Sequence, residues 1–376
     1  MRLGILAPIS WPTPPAGYGP WEQIAYNLAE GMQRRGLDVT LFATGNSRTS
    51  ARLRSVVPLG LNEDSDLNGD IYSALHTGAF FERASEFDLI HNNFDWKPLT
   101  YALGVPAPPM ITTIHGFSQP GILAAYYACA ERSFFCSISD ADRDPGLAYL
   151  ATTYNGIDPS EFTFVDRAGD YLIFLGRIHP EKGTHLAIEI AKKAGVRLKI
   201  AAIRQDEQYF HELVEPHIDG DRIVFLGSVE RAQRDELLGG ALGLVHMTTR
   251  PERFGLVLIE AMACGTPILG ARMGSLPEIV VEGKTGYLCD TVAEAAGKVP
   301  RLAQLSRAAC REHVEQTFSR ERMIDRYLDA YAAAIRLGVP PPPTQAQLQA
   351  RQHDWWDRPM AFTEIPKRPR SLKFDA

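Results

Sequence analysis

Short runs of apolar residues alternate along the chain with longer stretches in which apolar residues recur at helical spacing. The first run, residues 3–7, is closed by Pro8 and predicts a buried strand. Between Trp21 and Met32 the apolar positions fall on one face of a helix, which Gly36 ends. Further runs predict strands at 39–43, 89–92, 110–114, 134–138, 171–175, 198–203, 223–226, 244–247 and 267–270.

This alternation of nearly uniformly apolar strands with helices is typical of parallel sheets covered on both faces. The sequence therefore predicts a doubly wound α/β fold. The alternation breaks in the polar stretch 159–170, which follows the turn Asn155-Gly156. We therefore expect an N-terminal domain over 1–160, a second domain over 161–320 and a C-terminal segment over 321–376. Ligands of such sheets bind at the carboxyl ends of strands, which directs attention to the loops that follow them.

The C-terminal segment differs in composition from the rest of the chain. Residues 321–337 predict an amphipathic helix, and the four prolines at 340–343 favour an extended segment. Trp355, Trp356 and Phe362 follow, before a basic end. These apolar residues indicate that the tail docks, either on the body of the protein or on a partner subunit.

Size and charge agree with two domains and exclude some classes of partner. A chain of 376 residues exceeds the roughly 250–300 that one core serves. The net charge is −6, and residues 1–160 carry 10 basic and 16 acidic residues while the remainder balances at 29 of each. An acidic N-terminal half disfavours nucleic acid and anionic membranes as partners. The sequence contains neither a run of about 18 apolar residues nor a signal peptide pattern, so we expect a cytoplasmic protein.

The oligomeric state cannot be predicted from the sequence.

Patterns that bind metals or redox cofactors are incomplete. The five cysteines are odd in number and form no C-x-x-C, which argues against a disulfide framework or a zinc cluster. Asp140 and Asp142 spell D-x-D, but they follow a predicted strand where Ser or Asp usually caps a helix. Gly17 and Gly19 lack the third glycine of a dinucleotide fingerprint, since position 22 is Glu22. We therefore expect no metal and no cofactor.

The densest motif reads Arg-Pro-Glu-Arg-Phe-Gly-Leu-Val-Leu-Ile-Glu-Ala-Met-Ala-Cys-Gly-Thr-Pro over residues 250–267. A strand leads into it, and a helix is predicted to start near residues 254–256, where free backbone N–H groups suit a phosphate. Glu260, one to two turns into this helix, can accept hydrogen bonds from ribose hydroxyls. Glu252, in the preceding loop, can do so from a group attached to the phosphates. Two glutamates at this spacing are usually only solvated, but their position at a strand-to-helix turn favours a ligand site.

The second motif, Phe-Leu-Gly-Arg-Ile-His-Pro-Glu-Lys-Gly over residues 174–183, also follows a strand. Gly176 and Arg177 leave the strand directly, and Lys182 precedes a helix. Two cations in one loop suit a diphosphate, and arginine adds a bidentate fork. Taken alone, such charges are more often simply exposed.

Together with Tyr-Asn-Gly-Ile-Asp at 154–158, Leu-Pro-Glu-Ile-Val at 276–280 and Gly-Lys-Thr-Gly-Tyr at 283–287, these motifs resemble the family 4 retaining glycosyltransferases of the GT-B fold, over roughly residues 1–335. The resemblance implies two Rossmann-like domains that face each other across a cleft. The second would bind most of a nucleotide-sugar donor. It also implies roles for specific residues: Glu252 on donor-sugar hydroxyls, Glu260 on the ribose, Arg177 and Lys182 on the diphosphate, and the backbone of Gly176, Phe254, Gly255 and Leu256 over sugar and phosphates.

On the N-terminal side, the resemblance marks His115 as the cleft histidine that touches the donor sugar. The loop 14–19 is similar to the family's glycine-rich loop, with Gly17 and Gly19 near donor and acceptor, although Ala16 replaces a common glycine. The backbone from Gly227 to Val229 would contact the base. Aromatic residues on nearby loops are expected either to face the cleft or to pack in the core: Trp11, Trp21, Phe94 and Trp96.

The expected function is therefore a retaining hexosyltransferase that uses a UDP- or GDP-hexose. Since no carboxylate is placed as an obvious nucleophile, we adopt the front-face mechanism usually proposed for such enzymes, without a metal. Two alternatives remain: a nucleotide-sugar epimerase or phosphorylase on the same fold, and an inactive subunit that binds a partner through its tail. The base, the hexose, the acceptor and the linkage stay open.

Overall fold

A computed structural model describes residues 1–117 and 121–351, which form two parallel sheets flanked by helices. The strands are β1 (Arg2–Leu6), β2 (Asp38–Phe42), β3 (Arg52–Arg54), β4 (Leu89–Asn92), β5 (Met110–Ile114), β6 (Phe134–Ser137), β7 (Tyr149–Thr152), β8 (Tyr171–Ile178), β9 (Arg197–Arg204), β10 (Ile223–Gly227), β11 (Gly243–His246), β12 (Ile268–Ala271) and β13 (Gly286–Cys289). The helices are α1 (Pro20–Arg34), α2 (Gly69–Phe81), α3 (Lys97–Ala102), α4 (Leu123–Ala128), α5 (Thr184–Ala194), α6 (Glu207–Leu213), α7 (Arg231–Gly239), α8 (Leu256–Ala263), α9 (Leu276–Ile279), α10 (Val292–Leu302), α11 (Arg307–Thr317), α12 (Arg320–Leu337) and α13 (Gln345–Ala350).

The two sheets have the strand order of doubly wound folds. The N-terminal lobe, defined by β1–β7, has the order β3-β2-β1-β4-β5-β6-β7, and the C-terminal lobe, defined by β8–β13, has the order β10-β9-β8-β11-β12-β13. Neighbouring strands in both sheets are parallel, for example β1 with β2 and β8 with β9. The order reverses beside β1 in the first sheet and beside β8 in the second, so each sheet has a switch point where a ligand crevice forms. The predicted α/β class is confirmed.

Three strands were not predicted from the sequence. β3 has only three residues, two of them exposed arginines, and lies at the sheet edge. The edge strand β7 is half-buried along its whole length and therefore lacks a strong apolar pattern. β13 follows the turn at 283–285 and begins with Gly286. Since glycine is typical of turns, the sequence here predicts a continued turn and not a strand.

The helix α12 packs on the N-terminal lobe, although it follows the C-terminal lobe in sequence. Its buried face, which includes Met323, Tyr327 and Tyr331, belongs to the core that β1, α1 and β5 form. The Tyr331 hydroxyl lies 2.6 Å from Nδ1 of the buried His91. The chain therefore crosses between the lobes twice, once after β7 and once before α12, and Ile157 and Ser319 form a β-bridge where the crossings meet.

The end of the described chain returns to the surface of the N-terminal lobe. After α13, the Arg351 guanidinium donates a hydrogen bond from Nε to the carbonyl oxygen of Gly146 (3.0 Å) and lies over the ring of Tyr127. The predicted docking residues Trp355, Trp356 and Phe362 lie outside the described residues. Across the described part of the chain, no helix combines the length and apolarity needed to cross a bilayer.

Candidate functional site

A cavity of about 460 Å³ lies between the two lobes. Its volume is in the range of small-molecule sites in proteins. One wall comes from the C-terminal lobe, at the carboxyl ends of β8, β9 and β11 and the start of α8. The other comes from the N-terminal lobe, mainly from residues 15–21 and His115. The predicted site residues that line it are Gly17, Gly19, His115, Gly176, Arg177, Lys182, Glu252, Phe254, Gly255, Leu256 and Glu260.

A buried charge cluster centred on Glu252 lies in the C-terminal wall. Oε2 of Glu252 accepts hydrogen bonds from the Lys182 ammonium (2.5 Å) and from Nε2 of His246 (2.8 Å), and Oε1 accepts one from the backbone N–H of Arg253 (3.2 Å). The Glu252 side chain is only 10% exposed. Burial alone would raise its pKa, but the hydrogen bond from His246 and the charge of Lys182 outweigh it and hold the pKa below the usual range. Glu252 is therefore ionised at neutral pH.

Glu252 keeps some capacity to bind a ligand. A carboxylate offers about four acceptor positions, and three are in use, two of them on Oε2. The remaining position is on Oε1. A hydroxyl in the cavity is the kind of donor that suits it.

The loop from Glu252 to Leu256 lines the cavity, and the first turn of α8 has backbone N–H groups without a partner in the helix. Gly255 adopts φ +82° as the residue before α8, a conformation that favours glycine. The loop is braced from below, where Ser275 donates hydrogen bonds from its backbone N–H to the Glu252 carbonyl (3.0 Å) and from its hydroxyl to the Phe254 carbonyl (2.9 Å). These hydrogen bonds hold the loop in place before α8, and the start of a helix is the kind of position that suits an anion.

The cations of this wall differ in their partners. Lys182 stands in a 3₁₀ turn, Pro180–Lys182, and forms an ion pair with Glu252. Arg177, at the end of β8, donates a hydrogen bond to the side-chain oxygen of Gln205, a neutral group. Arg234 on α7 donates to Oε1 of Glu260 (3.2 Å). Arg177 thus retains its full positive charge for a ligand.

On the opposite wall, His115 is held between an aromatic ring and an amide. Its Nε2 lies 3.0 Å from Oδ1 of Asn93, and its ring stacks on Trp21 with 5.3 Å between centroids. Burial lowers the pKa of His115 to about 3, so the imidazole is neutral at physiological pH. This wall therefore offers a neutral hydrogen-bonding group beside an aromatic face.

A buried carboxylate in the first turn of α1 contacts the segment before the loop 15–19. The Glu22 side chain accepts a hydrogen bond from the backbone N–H of Trp11 (3.2 Å), and burial raises the pKa of Glu22. This bond ties the segment at Trp11 to the helix that carries Trp21.

Two contacts join the lobes beside the cavity. Arg253 forms an ion pair with the buried Asp142, and the Ser139 hydroxyl donates to the carbonyl of Arg253 (2.7 Å). Glu278 accepts hydrogen bonds from the backbone N–H groups of Asp140 (2.8 Å) and Ala141 (2.7 Å). The segment 139–142, at which the sequence predicted a helix cap, is a turn that contacts the other lobe.

Some predicted residues lie elsewhere. Gly227 is not among the lining residues, whereas the next two residues, Ser228 and Val229, are. The prediction that aromatic residues face the cleft holds for Trp21 alone of the four considered. Phe94 and Trp96 pack against the core of the N-terminal lobe, and Trp11 does not line the cavity.

The structure adds residues that sequence reasoning missed. His246 ends an otherwise apolar strand, and a polar residue at a strand end was a usable signal. Three arginines could not be recognised as site residues from the sequence, because the carboxylates that they pair with are remote along the chain. The pairs are Arg234 with Glu260, Arg253 with Asp142 and Arg231 with Glu161. Within residues 1–117 and 121–351, no group of three or more His, Cys, Asp or Glu side chains is arranged to hold a metal ion.

Two family models match the chain. The model described as Glycosyltransferase Family 4 matches residues 22–143, and the model described as Glycosyl transferases group 1 matches residues 163–315. The first match contains His115, and the second contains Arg177, Lys182, Glu252 and Glu260. Both sheets therefore carry family signatures, and the predicted family is confirmed.

Curated relatives match over part of their length. The N-acetyl-alpha-D-glucosaminyl L-malate synthase of Bacillus anthracis is 38% identical over 128 residues, which is 32% of this chain and 32% of that protein. The D-inositol 3-phosphate glycosyltransferase of Mycolicibacterium smegmatis is 35% identical over 222 residues, which is 53% of this chain and 50% of that protein. The matches thus span 32% and 50% of the length of these two relatives.

Solved structures agree on the fold. The Anabaena protein HepE, determined in complex with UDP and glucose, superposes with a TM-score of 0.69 at 19% identity, over 89% of this chain and 100% of that chain. The predicted architecture of two Rossmann-like units is therefore confirmed.

Proposed function

This chain belongs to glycosyltransferase family 4, and on that premise we propose that it transfers a hexosyl group from a nucleotide-sugar to an acceptor hydroxyl. One observation carries the proposal: Arg177, the Glu252 cluster and the start of α8 converge on one interlobe cavity. A lone cation next to a helix start suits a diphosphate, and an ionised carboxylate beside it suits sugar hydroxyls.

Each residue then has a role. Arg177 and the backbone N–H groups at the start of α8 bind the diphosphate. Lys182 shares its charge between Glu252 and the diphosphate. Glu252 accepts a hydrogen bond from a hydroxyl of the donor sugar. Glu260 accepts hydrogen bonds from the ribose hydroxyls, and Arg234 orients the Glu260 carboxylate. We assign residues 1–160 to the acceptor side and 161–320 to the donor side.

The reaction that this arrangement supports is transfer with retention by the front-face route. The lining carboxylates are Asp158, Glu161, Glu252 and Glu260, and each pairs with a cation. An ion pair with a cation lowers the nucleophilicity of a carboxylate. The departing phosphate oxygen would instead take the proton of the attacking hydroxyl. Charge that grows on the diphosphate is stabilised by Arg177 and α8, and we propose that no metal is required.

UDP is the nucleotide to test first, because HepE was solved with it. We propose calorimetric titration of the full chain with UDP, GDP and ADP, each with and without EDTA. We expect one nucleotide to bind in both conditions. We expect Arg177→Ala to weaken its binding at least tenfold and to lower kcat by about 10²–10³.

Arg197→Ala is the matched control, since Arg197 is an exposed arginine at the opposite end of β9. It should leave binding unchanged. Absence of binding by all three nucleotides would contradict the proposal. Binding that requires a divalent ion would contradict its metal-free form. Turnover of donor without acceptor, or only with inorganic phosphate, would favour the epimerase or phosphorylase.

A further inference from the structure

The charges around the cavity are distributed very unevenly between its two walls. Among the described residues that line it, the cations are Arg177, Lys182, Arg231, Arg234 and Arg253, and all of them belong to the C-terminal lobe. No lysine or arginine among the described residues up to residue 160 lines the cavity. The wall that faces the proposed diphosphate is therefore without a cation of its own.

Most of these cations also pair with a carboxylate of the protein. Ion pairs join Lys182 to Glu252, Arg231 to Glu161, Arg234 to Glu260 and Arg253 to Asp142. Arg177 contacts the amide of Gln205 instead. Within the described chain, the cavity thus offers one cation without a carboxylate partner, and the diphosphate takes it.

The N-terminal wall carries neutral polar and aromatic groups in place of charges. The Gln23 amide donates to Oδ1 of Asn27 (3.1 Å), and the Asn27 amide donates to the Gly156 carbonyl (3.0 Å). Both line the cavity, next to Trp21 and His115. Amides suit hydroxyl groups, and an aromatic face suits the apolar face of a sugar ring.

A negatively charged acceptor on the N-terminal side would face the negative diphosphate, and that wall has no cation to lie between them. Asp158, the charged residue that the lining contributes before residue 160, is a carboxylate already paired with Arg320 and offers an anion no attraction. Two like charges repel strongly at short range in a partly buried site unless a cation lies between them.

From this we infer that the acceptor is an uncharged, polyhydroxylated, ring-containing compound, and that the wall formed by Trp21, Gln23, Asn27 and His115 excludes acceptors that carry a phosphate or carboxylate. The inference rests on the proposed function. It separates this chain from the two curated relatives, whose names include L-malate and inositol 3-phosphate.

The test uses the full chain saturated with the nucleotide that calorimetry identifies, and inorganic phosphate as the probe. We expect no saturable phosphate binding to the loaded wild-type protein. We expect Gln23→Lys, which places a cation on this wall, to create a saturable phosphate site. Gln23→Met, of similar length and without charge, is the matched control and should create none.

Transfer assays provide the second readout. With the donor present, we compare matched pairs of a neutral and an anionic acceptor. The pairs are glucose with glucose 6-phosphate, and myo-inositol with myo-inositol 1-phosphate. Wherever either member of a pair is glycosylated, we expect kcat/KM to be at least tenfold higher for the neutral one, and Gln23→Lys to narrow that ratio.

Three outcomes would overturn the inference. They are a saturable phosphate site in the loaded wild type, a preference for the anionic acceptors, and no gain of phosphate binding in Gln23→Lys. A failure of the proposed function is distinguishable, because it shows as absent nucleotide binding before any phosphate is added.

Discussion

Replacement of Lys182 by methionine tests the charge cluster at the centre of the cavity. Methionine keeps most of the side-chain length but removes the charge from Oε2 of Glu252. Glu252 is 10% exposed and Lys182 is 21% exposed, so solvent cannot replace the lost partner fully. Breaking a buried ion pair by removing one partner costs about 3–5 kcal/mol. Because His246 still donates to the carboxylate, we expect the lower end, about 3 kcal/mol, as a decrease in the free energy of unfolding.

Urea denaturation at pH 7.5 measures this decrease. Lys193→Met is the matched control, since Lys193 lies exposed on the neighbouring helix α5, and it should change stability by less than about 0.5 kcal/mol. Glu252→Gln in the Lys182→Met background should recover part of the loss, because it removes the uncompensated charge.

The loss of stability in Lys182→Met should also depend on pH in one direction. The folded-state pKa of Glu252 is below its usual value, so the stabilisation is complete at neutral pH and is lost as the carboxylate becomes protonated. The difference between wild type and Lys182→Met should therefore shrink as the pH falls below about 4. If Lys182→Met lowers the free energy of unfolding no more than Lys193→Met does, the ion pair between Lys182 and Glu252 does not stabilise the fold and our reasoning is refuted.

Two further substitutions test the surroundings of the site. Burial raises the pKa of Asp142 to about 6, so the folded protein binds this proton more tightly than the unfolded chain, and the contribution of Asp142 to the free energy of unfolding should fall as pH rises from 4 to 6. Relative to wild type, the free energy of unfolding of Asp142→Asn should therefore rise over this range in urea denaturation, whereas that of Asp140→Asn, at an exposed position, should not; a pH dependence of Asp142→Asn equal to that of wild type would contradict the assignment. Gly183→Ala should destabilise far more than Gly195→Ala in thermal unfolding, because both glycines have φ near +68° but only at Gly183 would a Cβ lie 1.9 Å from the Met247 carbonyl oxygen. Equal losses of Tm would mean that the loop at Gly183 moves aside.

The sequence was sufficient for the parts of the molecule that local patterns encode. Apolar runs predicted the buried central strands, and a helix was expected to begin near residues 254–256, where α8 starts at Leu256. Strands were missed where the pattern is weak, as in the half-buried β7. Local patterns report what one segment buries, and the edge strands β3 and β7 bury little.

The pairings between charges were out of reach for a different reason. Arg234 and Glu260 are 26 residues apart, and Arg253 and Asp142 are 111 apart. Both pairs form only once strands from distant parts of the chain lie side by side. The residue types alone showed that cations were available, but they gave no indication of which would be neutralised. That distinction is what separates Arg177 from the other cations.

The position of α12 has a consequence for the order in which the molecule is completed during synthesis. A ribosome makes the chain from its N-terminus, so all seven strands of the first sheet emerge before α12 exists. Yet His91 and Thr113 in that sheet hydrogen-bond Tyr331 and Tyr327, which follow them by 240 and 214 residues. Until the last tenth or so of the described chain has been translated, that sheet therefore keeps an apolar surface open beside α1. Contacts of such long range form late, and an apolar surface that stays exposed until then makes the nascent chain prone to aggregate.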